Sequence, residues 1–177
     1  MPNWCDNSFS ISGPKAKIEK IVVTFEDSDK EVFLETLAPI GDWEYNRAVS
    51  EWGTKWEVSD MHYDYEVDGE TGHISGHFQS AWGPPDQAFH TFLSVNDDCS
   101  AELLYYEPSM DFAGSLDEGS ITISNFSDQW FETDPLGYKL DSTFGIVEMR
   151  SEWMDEEESE ALQSADNLEP IENYDDR

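Results

Sequence analysis

Residues 61–78 read MHYDYEVDGETGHISGHF and contain the strongest secondary-structure signal in the chain. Apolar and polar side chains alternate on both sides of the segment DGETG, which is typical of two antiparallel strands joined by a hairpin loop. A loop of either two or four residues brings the apolar sets of the two strands to the same face. That face is predicted to carry Met61, Tyr63, Tyr65, Val67, Ile74, Phe78 and Trp82.

Strands and helices predicted on either side of the hairpin complete a β-α-β-β-α-β order. Phe9 and Ile11 alternate with serines over residues 7–12, and an apolar stripe at helical spacing follows over residues 14–25. After the hairpin, Pro84 and Pro85 open a second helix that extends to about residue 95, and residues 101–106 form a fourth strand. This order is that of the ferredoxin-like fold, so we expect an α+β sandwich of that type.

Three additions to this unit are expected. Residues 26–50 are predicted to form an insertion after the first helix, with a short helical piece near residues 31–37. Residues 121–123 and 144–149 are predicted to be extra strands, which extends the domain to residue 150. Residues 151–177 hold eleven acidic residues and one basic residue, a composition typical of a disordered tail.

Charge and cysteine usage exclude several classes of protein. The chain has 9 basic and 40 acidic residues and a net charge of −31, so direct binding to nucleic acid is disfavoured by repulsion from the phosphates. The two cysteines, Cys5 and Cys99, form no CxxC motif, and no apolar segment follows the N-terminus. We therefore expect a cytoplasmic protein with neither secretion nor membrane insertion.

Four short motifs carry a resemblance to a known family. They are MPNWC at 1–5, WGTKW at 52–56, AWGPP at 81–85 and EPSMDFAG at 107–114. In this order they resemble the YubB-type ferredoxin-like domain carried by bacterial plasmids and phages, over roughly residues 1–125. The resemblance implies the same fold and a phage or plasmid setting. Its motif residues in this chain are Trp4, Trp52, Gly53, Lys55, Trp56, Trp82, Pro84 and Pro85.

The polar face of the hairpin is a weak candidate for a metal site. It carries His62, His73 and His77 together with Asp64 and Glu66, and imidazole with carboxylate is an acceptable ligand set for zinc. Outward faces of antiparallel strands are ordinarily polar, however, and the chain has no HExxH motif and no paired CxxC. We therefore expect neither a metal nor another cofactor.

The tryptophan-rich motifs allow two interpretations. Trp52, Trp56 and Trp82 are either packing residues, the more common case, or an aromatic anchor for a ligand or partner. Lys55 either neutralises a local acidic cluster, which we favour, or contacts an anionic ligand. Cys5 is expected to be a small buried hydrophobe. The sequence has no glycine-rich phosphate loop and no GxSxG motif, so no enzyme signature is found.

These observations favour a non-enzymatic interaction protein. A dense acidic surface attracts a basic host protein, either a nucleic-acid-binding or a defence protein, and imitates the field of duplex DNA. The alternatives are a module that binds a small ligand or a metal, and an acidic surface that serves only solubility. The candidate partner-binding residues are Asp64, Glu66, Asp68, Glu156, Glu157 and Glu158.

Overall fold

The computed structural model describes residues 3–26, 32–154 and 156. The first half of the chain forms β1 (Trp4–Pro14), α1 (Lys15–Glu26), α2 (Phe33–Leu37), α3 (Tyr45–Trp52), β2 (Ser59–Asp68) and β3 (Thr71–Ala81). The second half forms α4 (Asp86–Val95), β4 (Ser100–Glu107), β5 (Phe112–Ser115), β6 (Gly119–Thr122), α5 (Asp128–Thr133) and α6 (Pro135–Phe144). A 3₁₀ turn, Ile123–Asn125, follows β6, and residues 146–154 are helical.

The six strands form one antiparallel sheet in the order β2-β3-β1-β4-β5-β6. The predicted hairpin is confirmed with its shorter loop, because Asp68 pairs with Thr71 and only two residues lie between them. The combination of this antiparallel sheet with helices packed on it confirms the expected α+β class.

The main core lies between one face of the sheet and helices α1 and α4. The alternating pattern of β1 accounts for this, since Phe9 and Ile11 are buried there and the intervening serines face the other side. The predicted helices are confirmed with small shifts in their limits. Pro14 ends β1 instead of starting α1, and Pro85 is the N-cap of α4.

The insertion after α1 contributes to this core. The expected short helix is confirmed as α2, whose Phe33 ring lies 5.0 Å from that of Phe9 and 5.4 Å from that of Phe78. Helix α3 was not predicted, because only Ala48 and Trp52 of its eight residues are buried and they form no clear periodic stripe. Its N-terminus is capped by the carboxylate of Glu44.

A second core lies on the opposite face of the sheet, over β4 and β5. Leu104 and Tyr106 of β4 face it and pack with Phe131, Leu140 and Ile146 of the C-terminal helices. Strand β4 is therefore buried on both faces, whereas β1, β2 and β3 keep an outward face that is largely polar.

The predicted C-terminal strands have different outcomes. The strand at residues 121–123 is confirmed in part as β6, which ends at Thr122 before the 3₁₀ turn. The strand at residues 144–149 is wrong. Phe144 ends α6, Gly145 adopts the left-handed conformation at its C-cap, and residues 146–154 are helical. The Asp141 carboxylate accepts a hydrogen bond from the backbone N–H of Val147 and so satisfies the start of the new helix.

The acidic tail falls mostly outside the described residues. Residues 151–154 continue the last helix and are exposed, and Glu156 is an exposed helical residue. Glu157 and Glu158, which were predicted to bind a partner, lie outside the described residues, as does the rest of the tail.

Candidate functional site

The motifs at the start of the chain and around residues 52–56 and 81–85 meet at one end of the sheet. The carbonyl of Asn3 accepts a 2.9 Å hydrogen bond from the backbone N–H of Trp82, and Trp4 pairs with Ala81. The hydroxyl of Thr54 donates a 2.8 Å hydrogen bond to the carbonyl of Ala81. Segments far apart in the sequence are thus joined around the end of β3.

Gly53 permits a close approach of two chain segments within this cluster. It is the C-cap of α3 with φ 88°, a conformation that favours glycine. A Cβ atom at this position would lie 2.9 Å from the carbonyl oxygen of Pro84 and 2.5 Å from Oδ1 of Asp86. The glycine of WGTKW is therefore required both by its backbone conformation and by the proline turn of AWGPP.

The tryptophans of the cluster have different roles. Trp52 is 3% exposed and its indole N–H donates to the carbonyl of Ala38, as expected of a packing residue. Trp56 and Trp82 are each 40% exposed, so the prediction that Trp82 shares the buried face of the hairpin is wrong. The reason is local, because Trp82 follows the last residue of β3 and adopts φ 72°, which turns it out of the alternation.

Lys55 lies between the two exposed indoles. Its ammonium group is 4.4 Å from the centroid of the Trp82 ring and 5.8 Å from that of Trp56, which is within cation–π range. Its backbone carbonyl accepts a hydrogen bond from the indole N–H of Trp43. Among the described residues it forms no ion pair, so its charge meets aromatic rings instead of the acidic cluster that we favoured.

The buried side chain of Asn7 links two strands near this end of the sheet. The Asn7 side chain donates to the carbonyl of Cys5 at 2.7 Å and to the Ser80 hydroxyl at 2.8 Å. Cys5 is fully buried as expected, and burial raises the pKa of its thiol far above the ordinary value, which favours the neutral thiol. Glu107 is fully buried too and accepts from the backbone N–H of Met110, a role that its motif alone did not reveal.

The three candidate metal-binding histidines do not converge on one site. His62 and His77 are cross-strand partners whose ring centroids are 5.1 Å apart. His73 lies four residues further along β3, about 13 Å away along the strand, and its Nδ1 hydrogen-bonds with the Ser12 hydroxyl. Over residues 3–26, 32–154 and 156, no three His, Cys, Asp or Glu side chains are grouped so that they can hold a metal ion.

The predicted acidic residues of β2 form a row on the exposed edge of the sheet. Asp64, Glu66 and Asp68 alternate along the outward face, all three are exposed, and none is ion-paired to another described residue. None of the six strands contains lysine or arginine. The strands therefore present carboxylates, hydroxyls and imidazoles, with no lysine or arginine of their own.

Comparison of the chain with family models, curated proteins and solved structures gave no match. No helix in the described part of the chain is long and apolar enough to cross a membrane.

Proposed function

We propose that this protein is a non-enzymatic interaction module whose acidic sheet edge binds a basic partner protein in the cytoplasm of a host cell. The observation that carries this proposal is the row of Asp64, Glu66 and Asp68, exposed and without a cationic partner among the described residues. The whole chain, including this row, has a net charge of −31, which attracts a basic surface and raises the rate of association.

The distribution of basic residues supports the assignment of the binding face. Lys15, Lys17 and Lys20 lie on α1, which packs on the opposite side of the sheet. Lys139 and Arg150 belong to the C-terminal layer and are paired with Glu102 and Asp128. The open part of the sheet, formed by β1, β2 and β3, is thus the acidic face, and we assign the partner to it.

We further propose that β1, α1, β2, β3, α4 and β4 form a ferredoxin-like unit of the YubB type, encoded by a phage or plasmid. The antiparallel order β2-β3-β1-β4 supports this, because it is the strand order of the β-α-β-β-α-β fold. Contacts join residues 3–4, 53–54 and 81–86. They support the relation to the YubB type, because three of the motifs that carry the resemblance then form one local structure.

DNA mimicry is a narrower form of the same proposal. Alternate residues of a strand are about 7 Å apart, so the β2 row presents regularly spaced carboxylates. Duplex DNA carries one charge per about 1.7 Å of its axis, a higher density than one such row provides. Mimicry therefore requires further carboxylates, for which we propose Glu156, Glu157 and Glu158, and the partner is then a nucleic-acid-binding protein.

Capture of a partner from host lysate tests the proposal. Tagged full-length protein is compared with the triple variant Asp64→Asn, Glu66→Gln, Asp68→Asn. The matched control is Asp42→Asn, Asp117→Asn, Glu118→Gln, which removes the same charge from exposed sites elsewhere. Bound proteins are identified by mass spectrometry at low and at moderate salt.

We expect wild type and control to retain one basic protein that the β2 variant releases at lower salt. Displacement of that protein by duplex DNA supports mimicry, and its resistance to DNA limits the proposal to acidic binding in general. Equal retention by all three proteins would overturn the assignment to β2. Retention of no specific basic protein would overturn the interaction function and leave a surface that serves solubility.

A further inference from the structure

We propose that a cleft at the end of the sheet binds an arginine side chain of the basic partner, an inference that rests on the function proposed above. The cleft has a volume of about 500 Å³. Its floor is the outward face of β1, β3 and β2, and its wall is the end of α6. The lining side chains used below are Asp6, Asp60, His62, His77, Gln79 and Phe144.

The position of the cleft follows from the incomplete cover of the sheet. Helix α6 packs on β4 and β5 and ends at Phe144, where Gly145 turns the chain into the next helix. The outward face of β1, β3 and β2 is left open beside this helix end. A groove consequently forms between the exposed polar face and the edge of the C-terminal layer.

The two carboxylate side chains that line the cleft are its only Asp, Glu, Lys or Arg residues. Asp6 and Asp60 contribute two carboxylates, and the lining contains no lysine or arginine. The C-terminal end of α6 adds the negative end of a helix dipole, which favours a cation within its last turn. Three elements of the fold therefore attract a positive group to the same place.

Local structure holds both carboxylates at the cleft. Gln79 donates a 2.9 Å hydrogen bond to Oδ1 of Asp6 across the β1–β3 pair. Asp60 lies in a bulge between Ser59 and His62 with φ 48°, and bulges of this kind redirect a side chain beside binding sites. The Asp60 carboxylate is thus exposed at the bulge, on the lining of the cleft.

Flat rings beside the carboxylates favour a guanidinium over a metal ion. The rings of His62 and His77 lie 5.1 Å apart with an interplanar angle of 36°, and Phe144 faces the same cleft. A guanidinium is planar, stacks on aromatic rings and forms paired hydrogen bonds with carboxylates. No metal-binding group of three is found among the described residues, so a compact divalent ion has no complete ligand set there.

Binding of N-acetyl-L-arginine amide to the full-length protein tests this inference. Titration is followed by NMR through the ring signals of His62 and His77, assigned with His62→Gln and His77→Gln. N-acetyl-L-citrulline amide has nearly the same shape without the charge and serves as the ligand control. Asp6→Asn and Asp60→Asn are compared with Asp42→Asn, which removes the same charge from an exposed site outside the cleft and outside the β2 row.

We expect Asp60→Asn to fold normally, because asparagine tolerates the left-handed backbone conformation as aspartate does. We expect saturable shifts of both histidine signals with the arginine probe. The dissociation constant should rise at least fivefold in Asp6→Asn and Asp60→Asn and less than twofold in Asp42→Asn. Equal effects of the three variants, or equal binding of the citrulline probe, would overturn the cleft as a guanidinium site.

The two proposals fail in different ways. Absence of saturation by the arginine probe, with a basic partner still retained from lysate, overturns the cleft alone. Saturation of the cleft without any retained partner overturns the interaction function and leaves a site for guanidinium groups.

Discussion

The ammonium group of Lys55 lies 4.4 Å from the centroid of the Trp82 ring and thereby links the motifs WGTKW at 52–56 and AWGPP at 81–85. Trp82 adopts φ 72°, which is uncommon for a bulky residue and costs about 1–3 kcal/mol, so it persists only where the surroundings impose it. Two hydrogen bonds impose this conformation here, one from the backbone N–H of Trp82 to the carbonyl of Asn3 and one from the Thr54 hydroxyl to the carbonyl of Ala81. The exposed indole is therefore held in place by its neighbours.

Replacement of Lys55 tests the energy of this contact. We expect Lys55→Met to lower the free energy of unfolding by about 0.5–1 kcal/mol, because the cation–π contacts with Trp56 and Trp82 are lost. Tryptophan fluorescence should shift as well. Lys20→Met, on the exposed side of α1, removes the same charge and serves as the control in urea unfolding. An equal loss in both variants would mean that charge alone is responsible.

Alanine at position 53 tests the close approach of the two loops. Gly53→Ala places a Cβ atom 2.9 Å from the carbonyl of Pro84 in addition to straining a positive φ, whereas Gly41 has φ 72° and open space around it. We expect Gly53→Ala to cost about 1–3 kcal/mol more than Gly41→Ala in urea unfolding. Similar losses in the two variants would show that the loops separate freely.

Glu57 makes the stability of the insertion depend on pH. Burial raises the pKa of its carboxyl from 4.5 to about 7, although the backbone N–H groups of Leu34 and Glu35 donate to it. The folded state then keeps a proton that the unfolded state releases. The stabilisation from this proton is complete below pH 4.5 and is lost as pH rises towards 7. The free energy of unfolding falls by at most about 1.4 kcal/mol per pH unit in this range.

Glu57→Gln removes this titration. The variant should therefore gain stability relative to wild type between pH 4.5 and 7, as measured by urea unfolding at several pH values. Glu51→Gln, at an exposed position of α3, provides the control and should show no such trend. A difference between wild type and Glu57→Gln that stays constant with pH would contradict the raised pKa.

Capping of α6 tests the contribution of the C-terminal layer. The Asp134 carboxylate accepts hydrogen bonds from the backbone N–H groups of Leu136 and Gly137. Asp134→Ala should lower the free energy of unfolding by about 1 kcal/mol, since the two N–H groups lose their acceptor. Asp134→Asn retains a capping oxygen and should cost less. If both variants cost the same, the charge of Asp134 and not its cap is what stabilises the helix.

The strands of the sheet's open half were predictable from local sequence. The alternation along residues 61–78 and around Phe9 specifies which side chains are buried, because successive residues of a strand face opposite sides. The helices α1 and α4 were also predictable from local sequence, because their apolar residues recur at helical spacing. These signals lie within a few residues of each other and need no knowledge of the rest of the chain.

The C-terminal layer was not predictable in this way. Helix α5 has only six residues, of which Phe131 alone is buried, and residues 144–149 mix apolar and polar side chains without a decisive period. The run LLYY in β4 predicts a strand, but only the packed structure shows that Leu104 and Tyr106 meet helices on the second face.

The sequence by itself determined the acidity of the chain, the hairpin, β1, α1 and α4, since composition and short-range periodicity are local properties. Tertiary structure alone decided that Trp82 is exposed beside Lys55, that His62 lies opposite His77 and not opposite His73, and that Asp6 and Asp60 line one cleft. The physical reason is that strand register and a bulge at Asp60 bring these residues together or hold them apart over long sequence separations.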